Sequence, residues 1–160
     1  MSHSTRKLGT TFIWLGWIIG FFFLALLFDK ILDRQLNPNQ SLATLQNADY
    51  SEITLQRNRQ GHYLLTGEIN RQAVTFLIDT GATTTSIPMH LADELGLRKG
   101  SRFRVQTANG SASAYTTLLD QLRLGEMEFE QVRASLNPGL QGEEILLGMN
   151  ILKNLELIQR

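Results

Sequence analysis

The stretch of this chain best equipped for chemistry is Thr75-Phe76-Leu77-Ile78-Asp79-Thr80-Gly81-Ala82-Thr83-Thr84. A run of strand-forming residues delivers a carboxylate into a short turn rich in hydroxyls. A carboxylate directly after Phe-Leu-Ile enters partly apolar surroundings. There it must accept hydrogen bonds or share a proton, because an isolated buried charge is costly. Other constellations are scarce. The chain has no cysteine, which removes disulfides, thiolate nucleophiles, iron–sulfur clusters and zinc ribbons. His3, His62 and His90 are scattered, so no His-rich metal site is expected. No serine sits in a G-x-S-x-G elbow, and Walker A, GxGxxG and H-E-x-x-H motifs are missing. With 15 basic and 15 acidic residues, the chain lacks the basic excess of an electrostatic nucleic-acid binder. The segment around Asp79 is therefore the one that stands out, and no cofactor and no metal are expected.

Asp-Thr-Gly by itself is a weak signal, since an aspartate ending a strand commonly forms an Asx-turn with nearby backbone amides. Its context is more specific. Apolar-apolar-Asp-Thr-Gly-Ala resembles the active-site loop of aspartic proteases of the single-domain retroviral type. Two further elements follow in that family's order. Val105-Gln106-Thr107-Ala108-Asn109-Gly110 is similar to the flap hairpin that closes over substrate. Ile145-Leu146-Leu147-Gly148-Met149-Asn150-Ile151-Leu152 is similar to the apolar-apolar-Gly element before the family's short C-terminal helix. The combination resembles the retropepsin-like proteases, in particular the bacterial group that carries an N-terminal membrane anchor, over roughly residues 51–158.

The resemblance implies a closed β-barrel and an aspartic endopeptidase acting on polypeptides. It implies Asp79 as the catalytic residue and Thr80, Gly81 and Ala82 as the active-site loop. Thr107, Ala108, Asn109 and Gly110 would form the flap, with Leu147 and Gly148 as the structural motif. Two aspartates would hold a water between them. Carboxylates about 3 Å apart cannot both ionise, so one serves as base and the other donates a proton. Because the chain contains a single Asp-Thr-Gly, two copies must meet on a two-fold axis, and a homodimer is expected. Thr80 would brace the two loops. The alternative is a membrane-tethered peptide- or protein-binding module that keeps the fold without catalysis.

The elements that must position these residues are mostly strands. Short alternating runs, SEITLQR, HYLLTGEIN, AVTFLID, FRVQT, AYTTLLDQLRL and MEFEQVRASL, are separated by turn residues at Gly61, Asn70-Arg71, Asn109-Gly110 and Gly125-Glu126. This predicts a mainly β domain over residues 51–160. Two short helices are expected, MHLADELG, closed by Gly96, and GMNILKN. Residues 154–158 are expected as a strand. The family continues beyond this point with further chain that commonly builds its dimer contact, so the contact here is expected either to use other segments, such as residues 40–56, or to be weaker than usual.

The N-terminal part has a different character. Residues 1–7 form a short tail. Leu8–Phe28 carries no charge and holds both tryptophans together with Phe12, Phe21, Phe22, Phe23 and Phe28. At ~1.5 Å per residue a helix of this length spans roughly 30 Å, the hydrocarbon thickness of a bilayer. The run is long for a signal peptide and lacks a small-residue cleavage site, so an uncleaved transmembrane helix is expected over 8–28. Arg6 and Lys7 precede it and Lys30 and Arg34 follow. The short tail favours an N-in, C-out single pass in the inner (cytoplasmic) membrane, with the C-terminal domain in the periplasm or outside. Residues 29–50, with Asn37-Pro38-Asn39, read as a short helical extension and a linker.

Overall fold

The computed structural model describes residues 3–42, 44–46, 51–107 and 110–159. The chain divides into two compact units, Met1–Leu36 and Asn37–Arg160. The first is a single helix, α1 (His3–Leu36). Its stretch Phe12–Leu36 is long and apolar enough to cross a membrane. The side chains described from Phe12 to Phe28 are exposed, the pattern of a helix whose apolar surface needs a non-aqueous partner. The helix continues past the apolar run through Asp29, Lys30, Asp33 and Arg34.

The second unit is a closed six-stranded barrel. Its strands are β3 (Leu64–Ile69), β4 (Gln72–Ile78), β5 (Ser86–Pro88), β7 (Gly110–Leu124), β8 (Met127–Asn137) and β9 (Ile145–Leu147). They run in the order β3-β4-β9-β5-β8-β7, and β7 returns to β3 to close the sheet. At the closure Glu68 faces Arg123 in register, and the guanidinium Nη2 donates to Glu68 Oε1 at 2.8 Å. A seventh strand, β6 (Arg102–Thr107), pairs with β7 alone. A separate two-stranded ribbon joins β1 (Thr44–Gln46) and β2 (Ser51–Ile53). Closure removes the free edges that an open sheet of these strands would expose.

The core is the inner face of the barrel: Leu65, Ile69, Phe76, Ile87, Leu119, Leu122, Leu136, Ile145 and Leu147. The β3–β4 hairpin turns at Asn70 and Arg71, both with positive φ, as a two-residue turn matched to strand twist requires. Asn70 also interrupts β7. Its Oδ1 accepts from the amides of Asp120 and Gln121, and its own N–H donates to the Gln121 carbonyl. At this level the inward phase of β7 switches from Thr117 and Leu119 to Leu122 and Leu124, and Leu118 is left exposed. Opposite, Gln131 has positive φ. The strand pair bends there and wraps around the core.

Four elements differ from the sequence expectation. The stretch MHLADELG forms only a 3-10 turn, Met89–Leu91. A chain of turns then runs to Gly96 at φ +66, with Leu97 N bonded to Ala92 O. Burial of Leu91, Ala92, Leu95 and Leu97 against the barrel outweighs helix propensity over so short a stretch. The SEITLQR strand shortens to Ser51–Ile53. Residues 154–159 form no strand: a turn at 154 and a bend at 155 follow α2, and Leu157 and Ile158 are exposed. Finally, the folded unit takes in residues 37–42 from the segment read as linker.

That last feature has a clear cause. Asn39 is buried. Its Nδ2 donates to the carbonyls of Gln56 (2.9 Å) and Leu64 (2.6 Å), and its Oδ1 accepts from Gln56 N at 2.8 Å. Asn37 is buried as well; its Oδ1 accepts from Asn39 N and its Nδ2 donates to Thr66 Oγ1. The two asparagines clip the incoming chain onto β3 by supplying the bonds of a missing strand neighbour. Asn39→Ala leaves several buried backbone groups unpaired, at a cost of about 3 kcal/mol. In thermal melting of residues 37–160 the Tm should fall by roughly 10 °C. A shift below 2 °C would show the clip to be dispensable.

Candidate active site

Strand β4 places Asp79 one residue beyond its end. The neighbouring β9 runs parallel to it, pairing Phe76 with Ile145, Leu77 with Leu146 and Ile78 with Leu147. The Asp79 N–H extends this ladder by donating to Leu147 O at 3.2 Å. The chain then turns sharply. Ala82 N donates to Asp79 O at 3.2 Å, and Gly81 N donates to Asp79 Oδ1 at 2.9 Å. The side chain therefore makes the Asx-turn that its residue type favours. It is half-buried, while Thr80 and Gly81 are exposed. Among the described residues Oδ2 has no donor, which leaves one carboxylate oxygen for an external group. Ala82 brings no side-chain hydroxyl to the loop.

Because β9 lies between β4 and β5, the loop joining β4 to β5 must pass the end of β9, where Gly148 stands. The two backbones touch. A Cβ on Gly148 would lie 2.6 Å from the Thr84 carbonyl carbon and 2.9 Å from Ala82 O. The short helix α2 (Met149–Leu152) then starts directly beneath the loop. Met149 N donates to Ala82 O at 2.7 Å and Asn150 N to Thr83 O at 3.1 Å. Asn150 completes the clamp. Its Oδ1 accepts from Thr85 N (2.8 Å) and Thr85 Oγ1 (3.1 Å), and its Nδ2 donates to Arg133 O. Thr85 is fully buried. The Asp79 loop is thus held from its base by backbone and amide bonds, with its tip open.

Asp79, Thr80, Gly81, Ala82, Leu147 and Gly148, which the sequence marks in two separate segments, are brought together here. Asn150 was not singled out. A lone polar residue inside the apolar Ile145–Leu152 run is the signal that points to it. The expected flap is an antiparallel hairpin in which Thr107 pairs with Gly110, at φ +104. Ala108 and Asn109 lie outside the described residues. On this hairpin Phe103, Val105, Ala112 and Ala114 alternate with Arg102, Arg104, Ser111 and Ser113. On the apolar face Ala114 is buried, Val105 and Ala112 are half-buried and Phe103 is exposed.

A closed six-stranded barrel, with an Asp-Thr-Gly turn held over Gly148 and a short helix, is the retropepsin-like aspartic protease type of domain. Residues 65–154 match the family described as "gag-polyprotein putative aspartyl protease", and the chain belongs to that family. Among curated proteins it is 27% identical over 127 residues to an uncharacterized protein from Sinorhizobium sp, covering 78% of this chain and 54% of that protein. It is 31% identical over 111 residues to an uncharacterized protein from Rickettsia prowazekii (strain Madrid E), covering 67% and 47%. The match spans about half the length of these relatives. Among solved structures, a retropepsin-like aspartic protease from Rickettsia conorii aligns with a TM-score of 0.54 at 26% identity, over 66% of this chain and 89% of that one. EIAV protease in complex with an inhibitor aligns with a TM-score of 0.52 at 17% identity, over 66% of this chain and 100% of that one, a likeness of fold.

Proposed function

We propose that this protein is a membrane-anchored aspartic endopeptidase in which Asp79 from each of two copies activates a water for attack on a peptide bond. The observation that carries this is the Asp79 carboxylate. One oxygen is fixed by the Gly81 amide, the other is left for an external group, and each chain supplies one such turn. Half of a two-carboxylate site is a reason to seek the other half in a second copy. In that dimer the ionised carboxylate takes a proton from the water as it attacks the scissile carbonyl. The protonated partner donates to the carbonyl oxygen; the proton taken from the water then passes from the first carboxyl to the leaving amine, and the partner recovers its own as the carbonyl re-forms. No covalent intermediate is needed.

Within this reading Thr80 braces the paired loops and Gly81 allows their close approach. Leu147 and Gly148 fix the height of the loop. The β6–β7 hairpin, with Thr107, Ala108, Asn109 and Gly110 at its tip, folds over the polypeptide. Helix α1 is the membrane anchor, with its N-terminus inside and the barrel in the periplasm or outside. The test is dilution of the purified full chain in detergent, with turnover measured on a denatured protein mixture. Below the dissociation concentration, specific activity should fall in proportion to protein. Activity per chain that stays constant after dissociation, followed by analytical ultracentrifugation, would rule out the shared site. Peptide binding without any hydrolysis would favour a binding module.

A further inference from the structure

We propose that the substrates of this site are polypeptides anchored in the same membrane and cut close to its surface. The proposal rests on reading α1 as a membrane span and Asp79 as half of a protease site. What carries it is how little free chain lies between the span and the site.

Residues 29–50 are polar and hold Asn37-Pro38-Asn39. As a flexible tether they would let the barrel range up to roughly 75 Å from the lipid. The chain spends them otherwise. Residues 29–36 continue α1 without a break, adding about 12 Å beyond Phe28, where the uncharged run ends. The next residue is already fixed. Asn37 is buried, and its Nδ2 donates to Thr66 Oγ1 at 3.1 Å. Asn39 then holds the Leu64 carbonyl, and Leu42 packs against the core. The clip follows the helix directly.

The clip is also near the site. Thr66 pairs with Thr75 on β4, and Asp79 stands four residues beyond Thr75, about 13 Å along an extended chain. The incoming chain passes from Thr66 to Leu64, and Leu64 pairs with Leu77. It therefore runs toward the Asp79 end of β4. Taken link by link, Asp79 lies within about 45 Å of the end of the uncharged run, at any angle between helix and barrel. An extended polypeptide covers that distance in about 13 residues. A polypeptide emerging from the same bilayer meets the site soon after leaving the lipid. A layer this thin holds the two at high effective concentration. A cleavable segment held rigidly far above the lipid is out of reach.

The test uses the full chain in phosphatidylcholine vesicles, with and without a Gly-Ser insertion of about 40 residues between Leu36 and Asn37. Two model substrates share one cleavable segment, taken from a cut site in a denatured protein mixture. One carries it about 13 residues from a membrane helix, the other on a rigid helical spacer of about 90 Å. The native chain should cut the near substrate at least about tenfold faster than the far one. The insertion should bring the two rates within about threefold, with turnover of the soluble mixture unchanged. The chain has no cysteine, so a dye on Glu126→Cys, an exposed position, reports height above the lipid. Its energy transfer to labelled headgroups should fall on insertion. Equal cutting of near and far substrates by the native chain overturns the proposal alone when soluble turnover is intact. Energy transfer that the insertion leaves unchanged overturns it as well. Absence of turnover on every substrate, with energy transfer that still falls, overturns the protease reading and the proposal with it.

Discussion

Asp79→Asn should lower peptide hydrolysis on the order of 10³-fold or more, because it removes the base and the shared proton together. The substitution is nearly isosteric. The amide oxygen can still accept the Gly81 N–H bond now made by Asp79 Oδ1 at 2.9 Å, so the Asx-turn survives. Asp79 N–H to Leu147 O and Ala82 N–H to Asp79 O involve only backbone and are untouched. Circular dichroism and the melting temperature should therefore match those of the wild type while turnover on a denatured protein mixture disappears. Wild-type turnover in this variant would remove Asp79 from the chemistry. A collapsed melting temperature would give the residue a structural role instead.

Gly148→Ala should be strongly destabilising. The added Cβ meets the Thr84 carbonyl carbon at 2.6 Å, Thr84 O at 2.8 Å and Ala82 O at 2.9 Å. All three atoms are backbone, so no flexible side chain can swing aside. Relief requires separating the Asp79 loop from α2, which breaks the bonds from Met149 N to Ala82 O and from Asn150 N to Thr83 O. Overpacking of this kind costs about 3 kcal/mol, and activity should fall with it because the loop loses its seat. Gly96→Ala is the control. Its φ of +66 imposes strain, yet the added methyl meets nothing within 4 Å, so about 1 kcal/mol is expected. Urea unfolding of both variants measures the difference. Equal midpoints would show that the contact at Gly148 relaxes freely.

The sequence by itself determined the elements whose residues carry their own signal. An uncharged apolar run of bilayer length can only be a long helix, and His3–Leu36 forms one. Strand order in the chain follows from alternation and turn chemistry. The Asn70-Arg71 and Gly125-Glu126 turns need positive φ, and Asn70, Arg71 and Gly125 adopt it. Asp79, with its neighbours, was legible as a candidate site because a carboxylate after Phe-Leu-Ile is energetically conspicuous. What only the tertiary structure decided lies where local preference is weak or where the partner is remote in sequence. The stretch 89–96 has helical residues, but too few turns to outweigh burial against the barrel. Leu155 to Ile158 alternate as a strand would, yet a strand needs a neighbour and none of the described strands pairs with them. Asn37 and Asn39 look like turn residues in a tether until Gln56, Leu64 and Thr66 are brought within hydrogen-bonding distance. Gly148 and Asn150 gain their roles only when β9 is inserted between β4 and β5, because that insertion sets one backbone directly against another.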